Sequence, residues 1–169
     1  GREGVLIINL KSPVPSSSVE NLTYAFISNA VFRKKHRLIF QRASQRNGIS
    51  IFSSYDEDGT TYFGLLGRTS NQIKFATNLL NKFASFEYTE RDLTNAVKAL
   101  RDSFDSISEQ GLSAQLNYYA ATATKQGPFL YSKKEISEAL DKASLEGLTE
   151  FYQEYLNSIY VDIFSHGIE

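Results

Sequence analysis

The sequence predicts an α+β fold: a small antiparallel or mixed sheet with helices packed on one face. Three observations carry that expectation. An uninterrupted apolar, mostly β-branched run, Val5-Leu6-Ile7-Ile8, opens the chain as a buried strand would. Apolar residues at helical spacing collect after a central hairpin rather than alternating with strands. Residues 159–165 then return to a two-residue period. The element order is strand, helix, strand, strand, several helices, strand.

The first strand covers residues 4–10, and Lys11-Ser12-Pro13-Val14-Pro15 is a loop. Ser17 stands three residues before Glu20, the spacing of a capping box. Behind it Val19, Leu22, Phe26, Ile27, Ala30 and Val31 repeat at helical spacing, which predicts a long helix out to Leu38. Ile49-Ser50-Ile51-Phe52-Ser53 and residues 60–66 flank Asp56-Glu57-Asp58-Gly59, a β-hairpin whose turn needs the freedom of Gly59. Thr69 and Gln72 repeat the capping-box spacing, and Ile73, Ala76, Leu79, Leu80 and Phe83 form the core face of a second helix.

Thr89 starts a third helix, with Leu93, Ala96, Val97, Leu100, Phe104 and Ile107 on one face and Asp92 in the first turn. Gly111 breaks it. Residues 113–124 resume as a helix that Gly127-Pro128 stops. Ser132 with Glu135 caps a short helix carrying Ile136, Ala139 and Leu140. Ser144 opens another, carrying Leu145, Leu148, Phe151, Tyr152, Tyr155 and Leu156. In the last strand Ile159, Val161 and Ile163 share a face, so that face is expected to be buried.

The chain has 169 residues, and a chain of that length buries about 68–70% of its unfolded surface. One α+β domain over residues 1–169 is therefore expected. With 41% hydrophobic and 22% charged residues it has the composition of a globular domain. No apolar run approaches the roughly 18 residues of a membrane span. The absence of Cys removes disulfides, thiolate metal sites and a cysteine nucleophile. A chain that begins Gly1-Arg2-Glu3 and contains no Met reads as a processed product or a piece of a longer protein.

Charge is uneven. Residues 1–85 carry a net +6 and residues 86–169 a net −7. The basic share includes Arg33-Lys34-Lys35-His36-Arg37, Arg42 and Arg46. Nucleic-acid or anion binding is one reading of the run. The last turn of a helix, where cations complement the macrodipole, is the one preferred.

The inventory for catalysis is thin. The two histidines, His36 and His166, lie 130 positions apart, so neither H-E-x-x-H nor H-x-x-E-H is present. His36 reads as a helix-end cation and His166 as an exposed residue after the last strand. Asp56-Glu57-Asp58-Gly59 lacks the later ligands of a calcium loop. Gly64-Leu65-Leu66-Gly67 lacks the Lys-Ser/Thr of a phosphate loop and reads as a strand end. Tyr118-Tyr119 and the pair Tyr152/Tyr155 read as packing residues. No catalytic, cofactor-binding or metal-ligating residue is assigned.

Gly48-Ile49-Ser50-Ile51, a turn, and Gly59-Thr60-Thr61-Tyr62-Phe63-Gly64-Leu65-Leu66-Gly67 with Ser70-Asn71-Gln72 and the amphipathic helix behind them resemble the recurring hairpin and strand-to-helix turn of the pitrilysin / insulin-degrading-enzyme family of metallopeptidases. Phe86-Glu87-Tyr88-Thr89 resembles the start of its following helix. Ala139 to Leu148 with Phe151, and Val161-Asp162-Ile163-Phe164-Ser165-His166-Gly167, resemble its tail, although Ile168 stands where the family has Asn. The resemblance spans nearly the whole chain.

The resemblance implies the strand-helix-strand-strand-helices-strand layer of these metallopeptidases, repeated four times in a long polypeptide. Only the first repeat of such enzymes carries H-x-x-E-H on its first long helix, and the comparable helix here lacks it. The chain is therefore similar to a non-catalytic domain, the third of the four, excised from a multidomain peptidase. The resemblance implies zinc in the parent's catalytic domain and none in this chain. It implies partners in the other domains of the same polypeptide and in the parent's peptide substrate, without nucleic acid or a membrane span. It implies a periplasmic setting for a Gram-negative source and a cytoplasmic one otherwise. A zinc-free relative acting as an interaction subunit, like the core proteins of a respiratory complex, is the alternative, and a basic-patch nucleic-acid binder a further one.

Overall fold

The computed structural model describes residues 3–55, 60–109 and 131–167. Among these residues four strands and five helices follow in the order β1 (Glu3–Lys11), α1 (Val19–Asn47), β2 (Ile49–Tyr55), β3 (Thr61–Arg68), a short 3-10 turn (Thr69–Asn71), α2 (Gln72–Ala84), α3 (Glu90–Glu109), α4 (Lys133–Lys142), α5 (Leu145–Ser158) and β4 (Tyr160–His166). The strands form one sheet in the order β2-β3-β1-β4. Every neighbouring pair is antiparallel, so the sheet is antiparallel rather than mixed. The expected α+β layer is present.

The core lies between one face of the sheet and the helices. Leu6, Ile8 and Leu10 of β1, Ile49 of β2, and Phe63 and Leu65 of β3 are buried there. They belong to one cluster with Ile27, Val31 and Phe32 of α1, Leu79 and Phe83 of α2, Leu93 of α3, Ile136 of α4, and Leu148 and Phe151 of α5. Burying such side chains is the main term favouring the fold.

Local chemistry sets the helix ends, in several places differently from the sequence expectation. α1 runs past Leu38 to Asn47, because nothing between them breaks a helix and Ala43 is buried beneath it. Gly48 then ends it at φ 62°, its N–H bonding to Ala43 O. The N-cap is Ser18, whose hydroxyl accepts from Asn21 N at 3.1 Å. Ser17 is occupied in the preceding turn, donating to Val14 O at 2.6 Å.

The expected Thr69–Gln72 box does not form. Gln72 is fully buried, and its Nε2 donates to Gly4 O at 2.9 Å and Gly67 O at 3.0 Å. With Gln72 turned inward, Ile73 rotates out to solvent and leaves the core face assigned to it.

The remaining caps follow the sequence. Thr89 and Asp92 cap α3 reciprocally, with Asp92 N donating to Thr89 Oγ1 at 3.2 Å and Thr89 N to Asp92 Oδ2 at 2.9 Å. Ser132 and Glu135 form the capping box of α4, and the Ser144 hydroxyl caps α5 by accepting from Gly147 N at 3.0 Å. The turn 56–59, the helix expected at 113–124, Gly127-Pro128 and Tyr118-Tyr119 lie outside the described residues.

Candidate functional site

The residues the sequence singles out are not brought together. His36 is not a helix-end cation. It sits in the middle of α1, its ring against Phe32 (centroids 4.4 Å apart) and Phe86 (5.6 Å). Burial lowers its pKa below the ordinary histidine value, and the charges of Lys82 and Lys35 lower it further. His166 is exposed at the end of β4, as expected.

Among the described residues, no group of three or more His, Cys, Asp or Glu could hold a metal ion. The polar residues buried along α1 serve the fold. Thr23 and Ser28 donate to backbone carbonyls of their own helix. Asn29 Nδ2 donates to Thr61 Oγ1 at 3.3 Å. That donor set does not fit zinc.

The run Arg33–Arg37 is likewise mid-helix, so the macrodipole does not account for it, whereas Arg46 does lie in the last turn. Among the described residues only Lys35 of the run has an acidic partner, with Nζ 2.6 Å from Asp92 Oδ2 and 5.1 Å from the Phe86 ring centre. Burial raises the Asp92 pKa, but hydrogen bonds from Lys35 and Thr89, with the Lys35 charge, more than offset this and hold it below the ordinary carboxylate value.

Tyr152 and Tyr155 pack, as their spacing implies. Both are buried against Phe83 at 5.7 and 6.2 Å between centroids, and the Tyr152 hydroxyl donates to Phe83 O. Burial pushes Tyr155 up to about 12, and raises Tyr88 and Tyr152 as well. Gly64 and Gly67 lie within β3, as expected.

What the fold leaves open is a surface. The last strand was expected to be buried on its Val161/Ile163 face, and all seven residues of β4 are exposed. Among the described residues β4 is an edge strand beside β1, and the described helices do not reach over it. Residues directly opposite across antiparallel strands share a face. Ile163 faces Ile8 and Val161 faces Leu10 on the helix side. On the outer side one row crosses the whole sheet: Phe52 opposite Gly64, Gly64 opposite Ile7, and Ile7 opposite Phe164.

Phe52 lies over Gly64, where a Cβ would fall 1.9 Å from its Cζ, so the aromatic ring supplies the surface the glycine lacks. Exposed Leu66, opposite Val5, widens the band. Large exposed apolar residues therefore gather on the outer face and on β4, the kind of patch that marks an interaction site. The sequence signal for the outer face is the uninterrupted run of β1, which makes two apolar faces where the helices cover one.

The chain has the α+β fold of pitrilysin-like domains, as the resemblance implied. It is similar to pitrilysin with a TM-score of 0.85 and 16% identity, over 99% of this chain and 17% of that one. It is similar to the periplasmic protease PqqL of Escherichia coli, with a TM-score of 0.64 and 15% identity, over 96% of this chain and 19% of that one. It is also similar to the inactive peptidase domain of a Bordetella parapertussis protein described as a zinc protease. There the TM-score is 0.67 and the identity 13%, over 98% of this chain and 92% of that one. The chain thus spans less than a fifth of pitrilysin or PqqL. No family model matches the sequence, and no curated protein matches it. Among the described residues no helix is long and apolar enough to cross a membrane.

Proposed function

We propose that this chain is one non-catalytic domain of a pitrilysin-type zinc metalloendopeptidase, part of the wall of its substrate chamber, held by contacts with other domains of the same polypeptide. The observation that carries this reading is the apolar, exposed β4 and outer sheet face, on a layer whose helix side is filled over β1, β2 and β3 but not over β4. A domain that works alone keeps such surface polar or covers it, and a sheet edge left apolar invites a neighbour. The likeness to an inactive peptidase domain supports the non-catalytic half of the reading. The first long helix carries no H-x-x-E-H and its buried polar groups serve the fold, so no hydrolytic step is assigned to this chain.

In this reading zinc and peptide cleavage belong to another domain of the parent. This domain contributes shape: its sheet layer holds its neighbours in place so that the chamber closes around a peptide and excludes bulk water. For a Gram-negative source the proposed compartment is the periplasm.

The test is made on the purified chain with fluorogenic peptides and added zinc. The expected result is no zinc retained after dialysis and no cleavage. Stoichiometric zinc, with peptide cleavage that a chelator abolishes, would overturn the reading.

A further inference from the structure

On the basic flank of α1 only Arg46 lies in the last turn, so the macrodipole does not explain the rest. Between Glu20 and Asp56 the chain contains no acidic residue. Over residues 33–46 it carries Arg33, Lys34, Lys35, Arg37, Arg42 and Arg46. All six are exposed, and among the described residues only Lys35 has an acidic partner, Asp92. Lys35, Arg42 and Arg46 recur at i, i+7 and i+11, so they line one stripe, about 16 Å long at 1.5 Å per residue.

The stripe begins at a groove of about 390 Å³ between α1 and α3. Lys34 and Arg91 stand on its two walls without an ion pair among the described residues, and Ala30 and Ala96 leave room between them. The Lys35–Asp92 pair ties the two walls together.

We propose that this groove and the basic flank of α1 form a docking surface for an acidic, amphipathic polypeptide segment. Charge complementarity selects the sign of the partner. The small-residue floor suits a protruding side chain. Exposed Leu38, four residues from Lys34 on the same helix, offers an apolar contact beside the cations. Single-stranded nucleic acid fits less well, because its bases need open aromatic rings to stack on. Here Phe32 is buried and Phe40 packs against the core. The inference does not depend on the chain being a peptidase domain.

The experiment measures fluorescence anisotropy of a labelled peptide bearing Glu and Leu at helical spacing. Controls are its Lys-for-Glu counterpart and a single-stranded oligonucleotide. Binding of the acidic peptide is expected at about 50 mM salt, weakening as salt screens the contacts. The double variant Lys34→Glu with Arg91→Glu should lower affinity about tenfold or more. Lys142→Glu, on α4, should leave it unchanged, with circular dichroism confirming the fold of each variant. The proposal is overturned if the acidic peptide does not bind, if the groove and α4 variants weaken it equally, or if the oligonucleotide binds more tightly than the peptide.

Discussion

Ile8 of β1 and Ile163 of β4 face each other on the same side of the sheet, yet Ile8 is 1% exposed and Ile163 is 58% exposed. The boundary of the helical layer runs between them. Ile8→Ala removes a filled position from the core and should cost about 2–5 kcal/mol. Ile163→Ala removes surface that water already reaches and should stay within about 0.5 kcal/mol. Urea denaturation of the two variants checks the contrast. Equal losses would place the layer boundary elsewhere.

Gln72 supplies a second expectation. Its Nε2 donates to two carbonyls from two strands, Gly4 O and Gly67 O, and so pins the start of α2 to the edge of the β1–β3 pair. Gln72→Leu keeps most of the volume and strips both carbonyls of this donor, a loss of about 1–3 kcal/mol. Gly67→Ala should be harmful for another reason. Gly67 has φ 132°, and a Cβ there would fall 2.1 Å from Gly48 O. Thermal melts of both variants test the latch.

Mild acid should weaken the fold through His36. Its pKa in the folded chain is lowered from 6.5 by burial and by Lys82 and Lys35. The unfolded chain therefore takes up a proton that the folded chain resists. The contribution is fully present above about pH 6.5 and is lost as pH falls from there through the folded value. His36→Phe should flatten the dependence of the denaturation midpoint between about pH 7.5 and 5.5. An unchanged slope would mean another group titrates there. Asp92, lowered from 3.8, acts in a separate and more acidic window.

The alkaline side has the opposite sign. Tyr155 is raised to about 12, with burial the main cause, and the ordinary value is 10. The folded chain keeps a phenol proton that the unfolded chain releases. Stability is fully present below about pH 10 and falls above it. Tyr155→Phe should reduce that fall, read by ultraviolet titration of tyrosinate alongside unfolding.

Much of the fold is legible in the sequence because local rules and packing agree there. The β-branched run of β1, the Ser132/Glu135 box and the spacing of Tyr152 and Tyr155 each point to one local outcome. The end of α1 was less legible. Leu38 is exposed, yet Phe40 and Ala43 still face the core, and the helix stops only where Gly48 adopts positive φ. The inward turn of Gln72 was not legible, because its partners lie on strands far away in sequence.

The exposure of β4 was hidden for a related reason. Alternation says which residues share a face. Whether anything covers that face depends on how far the helices extend over the sheet. The same limit concealed the row Phe52, Gly64, Ile7 and Phe164, which exists only once the register is known.

The account rests on β4 and the outer sheet face being a contact with other domains of a longer polypeptide. Amide hydrogen exchange of β4, measured in this chain alone and in the full-length polypeptide, tests this most directly. The account predicts that the β4 amides pointing away from β1 exchange fast in the isolated chain and are protected in the full-length protein, with the core strand β3 equally protected in both. Equal, fast exchange of β4 in the two would contradict it.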